Sequence, residues 1–389
     1  MHLRPYIVAS VLIVAAVIGI LFGMRQPKHF PMGSAETQSL YYTVQERGSQ
    51  GASDTTKIYR FSPDTSADVL VATVPAYLYL VGNLGDGKTW IAHTDTELWR
   101  LTLATGDHEV LFSLPGYTIN NIALNANKTT VALALNKNED KAVVMTVDIS
   151  SKQQTKIWET DLGILEAVSI DRWDQDGKHL YVIKGSGDAG AWSAELFRLE
   201  NHANAEAISV ISGGGDGFGS REMNNALFGG EPSADGKYIL YTYCPNQMFD
   251  IDNQEKPASC PAGGQLHLYD LETKKDRLVY THTVSISPEY AGPWRVIYNV
   301  AWLDSDHAVI ATPDGLFSIN IADGSKKLIV HLPHTSYGTV PQRILELMRA
   351  PAPYVIYHEA GGYAPYVILN TETGKSIQET FDVPVNFIF

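Results

Sequence analysis

Beyond residue 39 the chain alternates between apolar and polar positions in short runs. SLYYTV (39–44), KIYRFS (57–62), DVLVATV (68–74), TWIAH (89–93), ELWRLTL (97–103) and KYILYTY (237–243) are examples, rich in Val, Ile, Tyr, Leu and Thr. Such residues fit a pleated, half-buried surface, and period two is the strand period. One stretch, residues 342–348, reads instead as a short helix. The pattern therefore predicts an almost wholly β chain.

The runs recur as a unit. An apolar strand ends in a D-G-K-type turn, and a second strand follows. A third strand ends in aspartate before a T-G or T-K turn leads into a fourth. Copies fall at 80–114, 121–160, 169–212, 228–283 and 299–332, with a more divergent one at 344–380. Equivalent turn positions Asp86, Asn127, Asp176, Asp235 and Ser305 are spaced 41, 49, 59 and 70 residues apart. Four strands per unit at a period near 40–45 is the signature of propeller blades, with the excess as insertion. Residues 40–74 supply three more strands and VPVNFIF (383–389) one. Together they make a seventh blade whose innermost strand comes from the C-terminus, which leaves the ring no open end. The expectation is a seven-bladed all-β propeller of four-stranded antiparallel blades.

The segments SADGKYILYTY…LHLYDLETKKDRLV and GDGKTWIAHTDTELWRLTLATGDHEVL resemble the propeller repeats of TolB and of the N-terminal propellers of prolyl-oligopeptidase-type enzymes. The resemblance covers roughly residues 40–389 and implies an extracytoplasmic binding scaffold. The sixth copy departs from it by lacking the aspartate turn.

Residues 6–23 (YIVASVLIVAAVIGILFG) carry no charge. Eighteen residues at about 1.5 Å rise span roughly 27 Å, enough for a hydrocarbon core. The run exceeds an ordinary signal-peptide core, and no A-x-A pattern closes it. The predicted organisation is a transmembrane signal-anchor at 1–25, a polar linker at 26–38 and the propeller at 39–389, held on the periplasmic or extracellular side. Charge sharpens this division. The chain has 29 Lys plus Arg and 43 Asp plus Glu, a net −14, but residues 1–28 carry Arg4, Arg25 and Lys28 with no acid, so the remainder carries −17. An acidic propeller argues against nucleic acid as a partner.

Several motifs imitate chemistry. Gly82 to Thr89 matches G-x-x-x-x-G-K-T, but strands rather than a helix follow, so it reads as a blade turn. Gly185 to Gly190 matches G-x-G-x-x-G and reads as a turn between strands for the same reason. Residues 83–90 form one broken sialidase-type Asp-box. Asp174, Asp176 and Gly177 hint at a calcium loop, but Arg172 stands where an acid is needed and no glutamate closes the loop. The acidic insertion with Asp250, Asp252 and Glu255 is a second weak calcium candidate. His331-x-x-His334 and His358-Glu359 offer no third ligand, and neither G-x-S-x-G nor S-x-x-K occurs. No cofactor, metal site or catalytic residue is predicted.

Cys244 and Cys260 lie in the insertion between two strands of the fourth copy. If those strands pair, the insertion's ends are close, and a disulfide is expected in an oxidising compartment. Because the chain reverses at every turn, connections after strands two and four leave on one face. The long connections 185–192, 213–230, 244–264 and 283–295 all do so, from neighbouring copies. Their candidate binding residues are Asp188, Trp192, Asp216, Arg221, Glu222, Asn224, Tyr290, Trp294 and Arg295, an aromatic and arginine composition suited to protein or sugar contact. The functional expectation is a non-catalytic scaffold for a protein or cell-envelope component. The alternatives are a carbohydrate-active or other hydrolase or lyase with acids in the funnel, and an accessory subunit of a membrane complex.

Overall fold

The structure is a computed structural model. It describes residues 40–46, 54–62, 67–137, 140–163, 166–188, 191–216, 222–223, 228–233, 235–243, 247–248, 263–283, 297, 299–312, 314–331, 345–348, 354–359, 366–379 and 386–388. The predicted anchor, the linker and both cysteines lie outside these residues. No helix among the described residues is long and apolar enough to cross a membrane.

Three strands open the chain, β1 (Leu40–Glu46), β2 (Thr55–Ser62) and β3 (Ala67–Val74). Blade 1 is β4 (Tyr79–Asn83), β5 (Thr89–His93), β6 (Glu97–Thr102) and β7 (His108–Ser113). Blade 2 is β8 (Thr118–Leu124), β9 (Thr130–Lys137), β10 (Lys141–Asp148) and β11 (Gln154–Asp161). Blade 3 is β12 (Glu166–Trp173), β13 (His179–Asp188), β14 (Ala191–Glu200) and β15 (Ile208–Asp216). Then come β16 (Glu222–Met223), β17 (Phe228–Pro232), β18 (Tyr238–Tyr243), β19 (Gln247–Met248), β20 (Gly264–Asp270) and β21 (Lys275–His282). Blade 4 is β17, β18, β20 and β21, while β16 and β19 pair as a separate ribbon. Blade 5 is β22 (Asn299–Trp302), β23 (His307–Thr312), β24 (Gly315–Asn320) and β25 (Lys326–His331). Blade 6 is β26 (Leu345–Met348), β27 (Tyr354–Glu359), β28 (Tyr366–Asn370) and β29 (Ser376–Glu379). Finally β30 (Asn386–Ile388) pairs with β1, giving blade 7 the order β3-β2-β1-β30. The C-terminal strand thus closes the ring as its sequence predicts. The helix expected at 342–348 is absent from its described part: β26 is a strand, because a stretch that short gains more from pairing with β27 than from an isolated turn of helix.

Alternation along each strand gives every blade two apolar faces, and each faces a neighbour. Seven buried clusters result, one in each seam. Ile91, Leu98 and Phe112 meet Ile119, Leu133 and Leu135 between blades 1 and 2. Val144 and Ile157 meet Ile170, Leu180 and Val182 between blades 2 and 3. Leu40, Tyr42 and Phe61 meet Ile356 and Ile368 between blades 7 and 6, and Ile58 and Val74 meet Leu80 and Trp90 between blades 7 and 1. The composite blade is therefore packed on both sides.

Six of the seven outer strands carry a bulge at the same place, at Val71, Leu111, Ile157, Val210, Val279 and Ile329. Each bulged residue packs into its seam, so the extra residue adds apolar surface there. The residue before it is turned outward, which accounts for exposed Leu70, Val110, Leu278 and Leu328. A bulge also twists an edge that would otherwise invite pairing.

Candidate functional site

The turns after the first strands lie on one face and are built from their own side chains. Asn83 Oδ1 accepts from the N–H groups of Gly85 and Gly87 at 2.6 and 3.2 Å. Asp86 accepts from the N–H groups of Lys88 and Thr89 at 2.8 and 2.7 Å and from the Thr89 hydroxyl at 2.6 Å. That hydroxyl, then the two N–H groups, hold the Asp86 carboxyl down to about 2. The donors that a phosphate loop would turn on its ligand are therefore spent within the turn. Gly87 has φ 71°, a left-handed conformation suited to glycine.

Asp174, Asp176 and His179 bring ligand atoms within 4.8 Å of one another in the same turn of blade 3. Their bonding is that of a turn. Asp174 accepts from the His179 N–H at 3.1 Å and lies 2.6 Å from its Nδ1, while Asp176 accepts from the Lys178 N–H at 3.1 Å and pairs with its ammonium at 2.7 Å.

On the inner strands, two acids, Asp171 and Glu231, converge on one cation. Arg172 of β12 pairs with Asp171 at 3.3 Å, with Glu231 of β17, and donates to the Pro232 carbonyl at 2.7 Å. Trp302 of β22 donates to the Glu231 carbonyl at 2.8 Å, so a polar thread links blades 3, 4 and 5. Trp173, at the equivalent place in blade 3, donates to the Ala123 carbonyl of blade 2 at 3.0 Å. Each tryptophan stands at the end of a first strand, and its acceptor is 50 residues away for Trp173 and 71 for Trp302.

The opposite face carries the insertions, and here the structure changes the sequence reading. Residues 185–188, 191–192 and 213–216 are strand rather than loop. β13 and β14 have 10 residues each and β15 has 9, against at most 8 in any other described strand. At the tip, Ala191 lies between Asp188 and Asp216 in register, and Trp192 lies between Gly187 and Gly215. Three predicted site residues are thereby brought to one sheet end. Glu222 is placed on β16, opposite Met248 of β19, so the 213–230 connection and the 244–264 insertion are joined by a ribbon. Arg221, Asn224, Tyr290, Trp294 and Arg295 lie outside the described residues. Tyr243 and Gln265 pair across β18 and β20, so the ends of the cysteine-bearing insertion are adjacent as expected.

Sequence reading missed two polar clusters. In blade 4, Tyr241 donates to Asp276 at 2.9 Å, His267 Nδ1 lies 2.7 Å from the same carboxylate, and the Tyr241 and His267 rings stack at 5.2 Å. Burial, then the bond to Asp276, raise the Tyr241 hydroxyl above its usual value. In the seam between blades 4 and 5, buried His282 meets Asp314 at 3.0 Å, and burial outweighs that carboxylate to lower the imidazole below its usual value. The first joins three strands of blade 4, and the second joins β21 to the turn between β23 and β24 of blade 5.

Seven four-stranded sheets in a closed ring decide the fold. The chain is a seven-bladed β-propeller. It is similar to TolB of Acinetobacter baumannii at 14% identity and TM-score 0.44, over 90% of this chain and 66% of that one. It is similar to a prolyl endopeptidase at 15% identity and TM-score 0.42, over 90% of this chain and 51% of that one. It is also similar to dipeptidyl peptidase 4 of Porphyromonas gingivalis at 10% identity and TM-score 0.49, over 88% and 50%. The propeller thus spans between half and two thirds of the length of these proteins. No protein-family model and no curated protein matches it.

Proposed function

We propose that this propeller is a non-catalytic binding scaffold, held outside the cytoplasm by residues 6–23, and that its partner, a protein or cell-envelope component, docks on the insertion-bearing face of blades 3 and 4. The observation that carries the reading is the growth of one blade past its ring: β13, β14 and β15 continue beyond the length that packing against neighbours requires, and the β16–β19 ribbon stands beside them. Ordering strands longer than every other described strand costs conformational entropy, and segments grown beyond a shared scaffold length are where binding usually resides. The other face is occupied by turns whose carboxylates cap their own backbones.

The test is capture of partners by the propeller from a cell-envelope extract, repeated with Arg221, Trp294 and Arg295 replaced together by alanine, and separately with Asp188, Trp192 and Asp216 replaced. Loss of the same partner in both variants supports the reading. Undiminished capture by both overturns it.

A further inference from the structure

Outer strands of a propeller are edges, and this ring guards them. After its bulge, each bulged outer strand other than β15 ends within two to four residues on the insertion-bearing side, as at Phe112–Ser113 of β7 or at 158–161 of β11. β29 lacks the bulge and is only four residues long. β15 is the exception. Its bulge is at Val210, and six further residues, 211–216, run on in register with β14.

That edge has no described partner. The next strand in the chain, β16, pairs with β19 instead of adding to β15, and the sheet order of blade 3 ends at β15. In an antiparallel sheet every second residue of the outermost strand turns its N–H and C=O away from its partner. Residues 211–216, ISGGGD, contain no proline, no lysine and no further bulge, the devices by which proteins close such an edge.

We infer that the β15 edge is a strand-addition site, and that its ligand is an extended polypeptide segment that pairs with residues 211–216 as a fifth strand of blade 3. The inference rests on the proposed binding face and names the mode of its use. Main-chain donors and acceptors alternating along about 20 Å are matched by another extended chain and by little else. Asp216 ends the edge and residues 39–389 carry a net −16, so the segment is neutral to basic.

The test uses the full chain in detergent and a phage-displayed library of linear 12-residue peptides. The best binder is synthesised unmodified and with N-methyl groups on alternate residues, in both phases. One methylated series is expected to lose affinity by at least about tenfold and the other to keep it, since only one phase blocks the pairing amides. Of Gly213→Pro and Gly214→Pro, the variant that retains the native melting transition is expected to lose peptide binding. Hydrogen exchange at residues 211–216 is expected to be fast at alternate amides of the free protein and slowed by the peptide. Protection of all these amides in the free protein overturns the inference, because the chain's own segments then cover the edge. Equal affinity of both methylated series also overturns it, and so does a library that yields no binder. The proposed binding face survives those results if the envelope partner is still lost in the two alanine variants, and falls if capture by both is undiminished.

Discussion

The seams on the two sides of blade 3 are built differently. Toward blade 2 the seam is mainly apolar: Val168, Ile170, Leu180, Val182 and Leu199 bury themselves against Ala132, Ala134, Ala142, Val144 and Ile157, with Trp173 and Asn120 donating to the Ala123 and Val168 carbonyls at 3.0 and 2.7 Å. Toward blade 4, the described fully apolar contact is Tyr181 and Leu196 against Ile239 and Leu271. Polar links supplement it: Arg172 reaches Glu231 and the Pro232 carbonyl, and Tyr181 donates to the Gly236 carbonyl at 3.2 Å. Gly236 itself is required, since a Cβ there would lie 2.9 Å from that of Asp174. An apolar seam holds by area and tolerates small shifts. A polar seam holds by direction, and losing one partner leaves the other charge poorly solvated. The polar links lie at the turn-bearing end of blades 3 and 4, since Arg172, Glu231 and Gly236 border the turns after β12 and β17.

The largest effect should come from emptying the apolar seam. Leu180→Ala is expected to destabilise the ring by about 2–5 kcal/mol through lost burial and a residual cavity. Denaturant unfolding checks it, and a change below that of an ordinary surface substitution would contradict the packing described. Next comes Glu231→Ala, which leaves the half-buried Arg172 guanidinium with only Asp171 and the Pro232 carbonyl among its described partners. A loss of about 2–3 kcal/mol is expected, less than for a fully buried pair because both side chains keep some water contact. The double variant Arg172→Met with Glu231→Leu should recover much of it. If Glu231→Ala alone is neutral, the seam is held by the apolar residues only.

Titration gives a smaller and pH-dependent effect. Burial holds His93 and His282 below the usual imidazole value. The unfolded chain therefore takes up protons first as pH falls through about 6.5. Stability from these two groups is full above that value and is lost between it and the lower folded values. Melting temperature should fall across this window, and less so in His282→Gln. Identical profiles would remove His282 from the account. The smallest effect belongs to the turn face. Asp86 and Asp148 are held at about 2 by turn hydrogen bonds, led by the Thr89 hydroxyl and the Ser151 N–H. Their contribution is present above the ordinary carboxylate value and lost as pH falls through about 2. Asp86→Asn, which keeps an acceptor, should change thermal stability less than any seam variant.

Much of this was legible beforehand. Turn spacing marked five blades, a divergent copy the sixth, and the strands at the two ends the seventh, because a blade is a local object whose strands follow one another. The phosphate-loop match was correctly read as a turn, since the strand period continued through it, whereas residues 185–188 of the dinucleotide-loop match belong to β13. The helix at 342–348 misled because a short apolar run fits either period, and its pairing with β27 decided the matter. The insertions at 185–192 and 213–216 read as loops because glycine and serine are turn residues, yet they continue a sheet once the first rows of β13, β14 and β15 are in register.

The sequence by itself determined the repeat, the strand alternation, the charge division between residues 1–28 and the acidic remainder, and the face from which the insertions leave. These depend on neighbours along the chain. Only the tertiary structure decided which seam is apolar and which is polar, and that β15 outruns the other outer strands. Arg172 and Glu231 are 59 residues apart, and neither carries a local mark of the other. Their pairing exists because ring closure presses two inner strands together, and a charge placed there must find its partner or remain poorly solvated.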